Sequence, residues 1–419
     1  MRTWITNATE LASTPHRRDA LALMDAGLEA IETEAIIERT VSMDGGRLTV
    51  GAHRFDLAPF KRICLIGLGK TACPASQGLR RILGDRISSE VIIESAKSPC
   101  GRPGHLPATH PLPSAQNVAH THTLLEACAD LKKDDLVLVI VSGGGSAMLC
   151  GTDTEYKQGQ RLYADALRTG MTIHELNVVR KHLSELKGGG LAHALYPAQI
   201  IGLIFSDVPG TAYDMVASGP TWPDPTTIRD AQAALGRYDL TGYTLQETPK
   251  EPQWFERITN IVLASNRIAL EAMAQQATMR GYGAHILSDA LYDDSAHIIT
   301  RMRKQASPRT AILSGGEFRI IVTKKGKGGR NTQATLTALD LLADDELFIA
   351  LASDGLDNTD AAGAIADLIT YEKARTRELD ATIALEEFES YPFFEKTGDL
   401  IFTGPTEANV SDLMLLLKE

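Results

Sequence analysis

The stretch Leu136–Met148, which reads LVLVIVSGGGSAM, constrains the fold of this chain more than any other part of it. Its first six residues are all aliphatic, which is typical of a strand buried on both faces in a parallel sheet. Three glycines between two serines follow, and Ala147 then opens a candidate helix. Glycines let the backbone approach a ligand, and the free N–H groups at a helix start attract anions. The pattern therefore predicts an anion site in the turn, with a tight turn that binds nothing as the alternative; its residues are Ser142, Gly143, Gly144, Gly145 and Ser146.

Strand-like and helix-like segments alternate along most of the chain, which predicts an α/β protein. At 419 residues the chain is too long for one ordinary core, so we expect two domains. The polar segment 241–253 contains prolines and shows no periodicity, and it is the candidate boundary. The predicted domains are therefore 1–245 and 246–419. Each is expected to hold a largely parallel, Rossmann-like sheet flanked by helices, because βαβ units place their strands in parallel.

Charge and hydropathy limit the partners of the protein. The net charge of −11 argues against nucleic acid or an anionic membrane surface as the main partner. No segment approaches the run of about 18 apolar residues that a membrane-spanning helix needs. The first residues also lack the apolar core of a signal peptide. We therefore predict a soluble, cytoplasmic protein that acts on small molecules.

The five cysteines all lie in the first 150 residues, and no two of them form a Cys-x-x-Cys pair. Their number is odd, which does not suit a complete disulfide framework. The sequence therefore predicts reduced thiols rather than a disulfide or a zinc site.

A second glycine turn, Gly67–Lys70, follows the strand-like segment that begins at Arg62. Lys70 stands at the start of the next predicted helix, where the helix dipole repels a cation. A phosphate held between Gly69 and Lys70 would remove that repulsion. The alternative is a lysine that simply reaches solvent.

Further cations are candidates for binding anions. The segment Lys324–Arg330 reads KKGKGGR, and the planar fork of Arg330 matches phosphate oxygens. An exposed, solvated turn is the alternative for this segment. Arg180 and Lys187 are also candidate anion-binding residues, and charges on a helix surface are an equally good interpretation.

Asp207 and Asp354 each follow an aliphatic strand-like segment closely. In α/β proteins ligands bind at the carboxyl ends of strands, so both carboxylates are site candidates. Each is a candidate ligand of Mg²⁺, and Asp207 is also the candidate base that accepts a hydroxyl proton. A helix cap or a turn aspartate is the alternative for each. His110 and His182 stand near no recognisable metal-ligand spacing and are interpreted as structural or weakly binding residues.

Short motifs occur in order over nearly the whole chain, at Gly67–Lys70, Thr109–Pro113, Ser142–Ala147, Arg180–Gly189, Ser206–Gly210, Ala217–Thr221, Gly328–Asn331, Thr359–Ala364 and Gly398–Ile401. Together they resemble the class II glycerate kinases, whose C-terminal half is called the MOFRL domain. The resemblance implies ATP-dependent phosphorylation of glycerate at its 2-hydroxyl, with Mg²⁺, in a cleft between two α/β domains. The lysine and arginine of the family's site correspond to Lys70 and Arg330, and Gly328, Gly329 and Asn331 belong to the same motif as Arg330. The oligomeric state stays open, with a homodimer as one candidate.

The chain departs from the family pattern in its C-terminal half. Gln333 replaces an expected acidic residue, and Asn358 stands where glycine-proline is usual. Glu407-Ala408 replaces glycine-threonine. These departures motivate one alternative function, a nucleotide-binding homologue with impaired catalysis.

A dehydrogenase is the other alternative. Gly67–Ala72 fits the dinucleotide pattern G-x-G-x-x-A, and Glu94 ends the next strand-like segment at a suitable spacing. Some members of the resembled family have been labelled hydroxypyruvate reductases. Several glycine turns that carry lysine or arginine suit a triphosphate and a carboxylate substrate better than one dinucleotide, so we favour the kinase.

Overall fold

The computed structural model describes residues 3–96, 100–406 and 408–419, so Glu407 lies outside the described residues. The strands are β1 Val41–Asp44, β2 Arg47–Val50, β3 His53–Asp56, β4 Arg62–Leu68, β5 Ile87–Ser95, β6 His105–Ala108, β7 Asp135–Ser142, β8 Gln199–Phe205, β9 Ile258–Ala264, β10 Gly283–Asp293, β11 Thr310–Phe318, β12 Glu346–Ala352, β13 Gly363–Ala366, β14 Leu400–Ile401 and β15 Asp412–Lys418. The helices are α1 Ala8–Leu11, α2 Pro15–Ile31, α3 Thr33–Thr40, α4 Ala72–Leu83, α5 Ala115–Ala127, α6 Gly145–Met148, α7 Asp153–Thr169, α8 Ile173–Leu183, α9 Gly190–Leu195, α10 Ile228–Gly236, α11 Asn266–Met279, α12 Ser295–Gln305, α13 Arg330–Leu339, α14 Leu368–Thr376, α15 Ala381–Glu386 and α16 Ser390–Thr397. The predicted α/β class is confirmed.

The chain divides into two compact units, and neither is continuous in sequence. The central unit comprises 36–208 and 212–263, and the terminal unit comprises the described residues up to 35, 209–211 and 264–419. The predicted domains 1–245 and 246–419 differ from this division at both ends of the first domain. The described residues before 36 lie in the terminal unit, and residues 246–263 lie in the central unit. The N-terminal helix α2 packs against α11 of the terminal unit, and strand β9 is the edge strand of the central sheet.

The central unit is built on a six-stranded sheet in the order β6-β5-β4-β7-β8-β9. The pairs β6–β5, β5–β4, β4–β7 and β7–β8 are all parallel, as predicted. Every residue of β7 is buried, which confirms the interpretation of the aliphatic run. Because Leu68 pairs with Val141 and Ser142 pairs with Phe205, the strands β4, β7 and β8 end at one edge of the sheet. A separate antiparallel sheet, β1-β2-β3, belongs to the same unit.

The terminal unit is built on a second six-stranded sheet in the order β10-β11-β15-β12-β13-β14. Among the described strands of this sheet, only β10 and β11 pair in parallel, whereas β15 runs antiparallel to both of its neighbours. The prediction of a largely parallel sheet is therefore wrong for this unit, because the last strand of the chain inserts between β11 and β12. Strand β11 runs through Ser314–Glu317 and ends at Phe318.

The cysteines differ from the prediction in one respect. Cys73 and Cys100 lie together as a disulfide pair would, with their Cα atoms 6.4 Å apart, whereas Cys64, Cys128 and Cys150 are buried free thiols. The sequence predicted reduced thiols without a disulfide and did not anticipate this contact, because 27 residues separate the two cysteines and the contact depends on the fold. Among the described helices, none is both long and apolar enough to cross a membrane.

Candidate active site

The two glycine turns of the central unit interlock at the carboxyl edge of its sheet. The Lys70 N–H donates to the Gly143 carbonyl at 2.9 Å, and the Thr71 N–H donates to the Ser142 hydroxyl at 3.2 Å. Gly69 has φ +114°, and a Cβ at this position would lie 2.2 Å from Ser142 Oγ. Glycine is therefore required at residue 69 by both backbone conformation and space. The contacts hold the exposed Lys70 side chain at the start of α4.

The glycine turn also brings Asp207 and His110 close to Lys70. A Cβ on Gly143 would lie 2.2 Å from Asp207 Oδ2, so the carboxylate rests directly on this part of the backbone. A Cβ on Gly144 would lie 3.4 Å from Lys70 Cγ and 3.2 Å from His110 Cδ2. The prediction that Asp207 shares a sheet edge with Ser142–Ser146 is therefore confirmed. His110, which lies in one of the family motifs, was interpreted from the sequence as a structural or weakly binding residue.

The helix predicted after the glycine turn is a single turn, α6, and not a long helix. Its Gly145 packs so closely that an added Cβ would lie 2.6 Å from Ala217 Cβ. The Ser146 hydroxyl contacts the Ser218 hydroxyl at 2.9 Å. Ala217 and Ser218 have φ +50° and +60°, a conformation that costs energy for residues with a Cβ. The turn is thus shaped by tight packing against a strained loop more than by a helix dipole.

Arg180 lines a pocket that begins at this turn. The pocket is lined by Pro111, Pro113, Ser146, Ala147, Cys150, Glu155, Gly159, Tyr163, Arg180, Leu183 and Lys187. Burial lowers the pKa of Arg180 to about 10. Its guanidinium has no hydrogen-bond or ion-pair partner among the residues that the structure describes. An unpaired, desolvated cation is costly, so the pocket favours an anionic ligand.

Lys187 lines the same pocket but is already neutralised. Its ammonium pairs with Glu155, donates to the Leu149 carbonyl at 2.8 Å and contacts the Ser184 hydroxyl at 3.4 Å. These contacts use all three ammonium protons. The ligand-binding role predicted for Lys187 is therefore not supported, and the residue instead holds one wall of the pocket. His182 is likewise structural, since its Nδ1 lies 2.9 Å from the Val178 carbonyl.

The predicted cation of the terminal unit, Arg330, begins helix α13 and is half-buried. Its Nε lies 2.6 Å from Asp412 Oδ2, and one terminal nitrogen lies 3.1 Å from Glu317 Oε2. Burial favours the neutral form of Arg330, but these carboxylates outweigh burial and raise its pKa. Burial raises the pKa of Asp412 to about 7. Asp412 was not identified from the sequence, because it lies 82 residues from Arg330 along the chain.

The glycines before Arg330 serve close packing. A Cβ on Gly329 would lie 2.2 Å from the Asp357 carboxyl carbon, and a Cβ on Gly328 would lie 2.2 Å from Ser390 Oγ. The Asp357 carboxylate accepts from the Asn331 N–H at 3.0 Å and from the Asn331 side-chain amide at 3.1 Å. Asn331 is fully buried. Gly328, Gly329 and Asn331 thus have a packing role that positions the start of α13, and their binding roles stay predictions.

The other predicted residues of this unit form local contacts. Asp354 accepts from the Leu356 N–H at 3.2 Å, as a turn aspartate does, and its half-exposed carboxylate stays a predicted metal ligand. Lys324 pairs with Glu387 at 2.5 Å, and the Lys327 ammonium lies 3.5 Å from the centre of the Tyr391 ring. The basic segment is thus fastened to its own unit rather than being a free clamp.

Two departures from the family pattern have local explanations. The Gln333 amide donates to the Leu385 carbonyl at 2.9 Å, a bond that a carboxylate cannot make. Asn358 adopts φ +56° and donates to the Gly328 carbonyl at 3.1 Å. Asparagine tolerates this conformation better than most residues do. Ala408 is buried.

Comparison with known proteins identifies the family to which this chain belongs. Residues 19–251 match the family described as "Domain of unknown function (DUF4147)", and residues 310–412 match the MOFRL family. A glycerate 2-kinase of Pyrococcus horikoshii is 31% identical over 96% of this chain and 97% of its own length. The chain belongs to the glycerate kinase family. The crystal structure of a member from Thermotoga maritima matches it with a TM-score of 0.84 and 28% identity, over 96% of this chain and 99% of that one.

A member of this family from Agrobacterium vitis carries the name hydroxypyruvate reductase and is 36% identical over 86% of this chain and 88% of its own length. The dinucleotide pattern at Gly67–Ala72 suggests this activity, and it requires Glu94 to be accessible to the nucleotide. Glu94, the residue expected to bind a ribose, is only 1% exposed. Its carboxylate accepts from the Cys100 N–H at 2.7 Å and lies 2.9 Å from His105 Nδ1. Glu94 is therefore not available to a dinucleotide.

Proposed function

We propose that this protein transfers the γ-phosphoryl group of ATP to the 2-hydroxyl of glycerate, producing ADP and 2-phosphoglycerate. The observation that carries the proposal is the grouping of Lys70 and Asp207 around the glycine turn, beside a pocket that contains the unpaired Arg180. One cation, one carboxylate and one partly buried anion site match the needs of phosphoryl transfer to a hydroxy acid. The names of the relatives support the same chemistry.

In this proposal, Arg180 binds the carboxylate of glycerate. Ser146 belongs both to the glycine turn and to the wall of the Arg180 pocket. A small hydroxy acid held by Arg180 thus extends toward the turn, where Asp207 orients its hydroxyl and accepts the proton. Lys70 neutralises charge on the transferred phosphoryl group, and Arg330 is proposed to do the same.

Mg²⁺ is the metal we propose for the nucleotide. It prefers carboxylate and water oxygens, and Asp207 and Asp354 are half-exposed carboxylates of that kind. Asp412 does not fit, because it is buried and paired with Arg330. When bound, the metal would shield the charge of the phosphate groups.

The test of the proposal is a product assay on the purified protein. With glycerate and Mg-ATP, we expect stoichiometric ADP and a phosphoglycerate that added enolase dehydrates directly, since enolase accepts the 2-phosphate and not the 3-phosphate. A parallel assay with hydroxypyruvate and NADH or NADPH should show no oxidation of the nucleotide. Hydride transfer without ADP formation would replace the kinase by a reductase, and nucleotide binding without either reaction would indicate an impaired homologue.

A further inference from the structure

A second group of chemically reactive side chains lies in the central unit, and the proposed phosphoryl transfer does not use it. Cys73, Glu94, Cys100 and His105 each offer one ligand atom, and these four atoms lie within 4.8 Å of one another. Cys73 comes from the first turn of α4, Glu94 from β5 and His105 from β6. Three of the four residues are buried, and Cys100 is partly buried. The group is therefore assembled by tertiary structure from separate elements.

The surroundings of the group orient its members in the way that ligands of a metal are oriented. His105 Nε2 lies 3.3 Å from Glu90 Oε1, and Glu90 is in turn held by the Arg80 Nε at 2.6 Å. The other ring nitrogen, Nδ1, lies 2.9 Å from Glu94 Oε2, a hydrogen bond in which Nδ1 carries the proton. A metal ion would take the place of that proton and bind Nδ1, while the proton on Nε2 stays with Glu90. A carboxylate that fixes the tautomer of a ligating histidine in this way is a usual feature of zinc sites.

The two sulfurs share one hydrogen-bond donor. The Gln77 side-chain amide lies 3.1 Å from Cys73 Sγ and 3.3 Å from Cys100 Sγ. An N–H group directed at both sulfurs stabilises the negative charge of thiolates. The Glu94 carboxylate is similarly held by the Cys100 N–H at 2.7 Å.

We propose that Cys73, Cys100, Glu94 and His105 bind one Zn²⁺ ion in the reduced protein. Two thiolates, one imidazole and one carboxylate form a four-ligand tetrahedral set that selects zinc over Mg²⁺, which prefers oxygen ligands. On binding, the two thiols release their protons to solvent and each sulfur forms a bond to the metal, with no change in oxidation state. The ion balances two of the three negative charges that its ligands then carry.

The site has a structural role. All four positions of the ion are filled by protein, which leaves no open position for a substrate. Cys73 stands three residues after Lys70, so the ion fastens the start of α4 to β5 and β6 and thereby steadies the turn that carries Lys70. A disulfide between Cys73 and Cys100 is the competing explanation of the contact between their sulfurs, and it gives Glu94 and His105 no part.

The experiment uses the full chain, purified with a phosphine reductant and stripped with a chelator. Added Co²⁺ should bind with one ion per chain and show the thiolate-to-cobalt absorption band, and Zn²⁺ should displace it. Cys100→Ser and Glu94→Gln should each weaken Zn²⁺ binding by about 100-fold or more. Cys128→Ser removes a buried thiol outside the group and should leave Zn²⁺ affinity unchanged.

A cobalt complex without the thiolate band, a band of undiminished intensity in Cys100→Ser, or no metal uptake by reduced wild-type protein would overturn the proposal. If the ligand variants fail to fold, alkylation of the zinc-loaded wild-type protein tests whether Cys73 and Cys100 bind the ion. We expect zinc to be released in step with modification of Cys73 and Cys100, located by peptide mass spectrometry. A Cys73–Cys100 disulfide in protein that takes up no metal after reduction would establish the competing explanation. These results do not depend on which reaction the protein catalyses.

Discussion

Arg180 and Lys187 lie in the wall of one pocket and are in opposite electrostatic situations. Lys187 is neutralised by Glu155, whereas the guanidinium of Arg180 has no partner among the described residues. From the sequence alone both residues are equally good candidates for binding an anion, because the sequence does not show that Glu155 pairs with Lys187. A buried charge without a partner destabilises the protein until a ligand supplies one.

Arg180→Met is therefore predicted to have two effects of opposite sign. The KM for glycerate should rise by about 100-fold, because a charge-assisted contact to the substrate carboxylate is lost. The free energy of unfolding without substrate should stay the same or rise, because an unpaired charge is replaced by an apolar chain of similar length. Steady-state kinetics and urea unfolding measure the two effects, with Arg229→Ala as a control on an exposed arginine. Lower stability with an unchanged KM would show that Arg180 is structural.

Asp207 is predicted to act on the hydroxyl of the substrate. Asp207→Asn keeps the shape of the side chain but removes its ability to accept a proton. We expect kcat to fall by about 100-fold to 10,000-fold while the affinity for Mg-ATP stays within a few fold. Titration calorimetry with Mg-ATP separates this role from metal binding, in which Mg²⁺ dependence and nucleotide affinity would be lost together. A variant that keeps most of its kcat would mean that the base lies elsewhere.

At the scale of elements, the interlocked turns after β4 and β7 place Lys70. Gly69→Ala adds a Cβ that would lie 2.2 Å from Ser142 Oγ and 2.5 Å from the Ser142 carbonyl oxygen. We predict a loss of about 2 kcal/mol or more in the free energy of unfolding, together with a large loss of kcat. Gly46→Ala is the matched control, since nothing lies within 4 Å of its added Cβ. Equal stability and turnover in the two variants would refute the structural importance of the turn.

The sequence predicts well those elements that are determined by residues close together in the chain. The aliphatic runs identify β4, β7 and β8, and the strand-end rule places Asp207 beside Ser142–Ser146. The missed features depend on partners far along the chain. These are the insertion of β15 between β11 and β12, the pairing of Arg330 with Asp412, and the meeting of Cys73 with Cys100. Each requires the fold to be known first, because nothing in the nearby sequence records the partner.

At the scale of the whole molecule, the N-terminal segment belongs to the terminal unit. Arg17 of α2 is buried and pairs with Asp367 at 2.6 Å and with Asp399 at 2.7 Å. The sequence suggested a boundary near residue 245 because only the composition of that segment was visible. The chain instead contributes both of its ends to one unit, and the sheet of the other lies between them in sequence.

We propose that Lys70 and Arg330 both neutralise the transferred phosphoryl group. The most direct measurement is kcat with saturating glycerate and Mg-ATP for Lys70→Ala and for Arg330→Ala. Each should fall by about 100-fold or more, equivalent to about 3 kcal/mol of barrier, with the overall fold retained.

Two further variants make this measurement decisive. Because Arg330→Ala leaves Asp412 without its cation, Arg330→Lys is measured beside it to keep the charge while removing the fork. Lys133→Ala is the control for Lys70→Ala, since Lys133 is exposed and precedes the amino end of β7. The proposed role of Lys70 and Arg330 predicts that kcat falls in Lys70→Ala and in both Arg330 variants, and that Lys133→Ala matches the wild type. Near-normal turnover in Lys70→Ala and Arg330→Ala would contradict it.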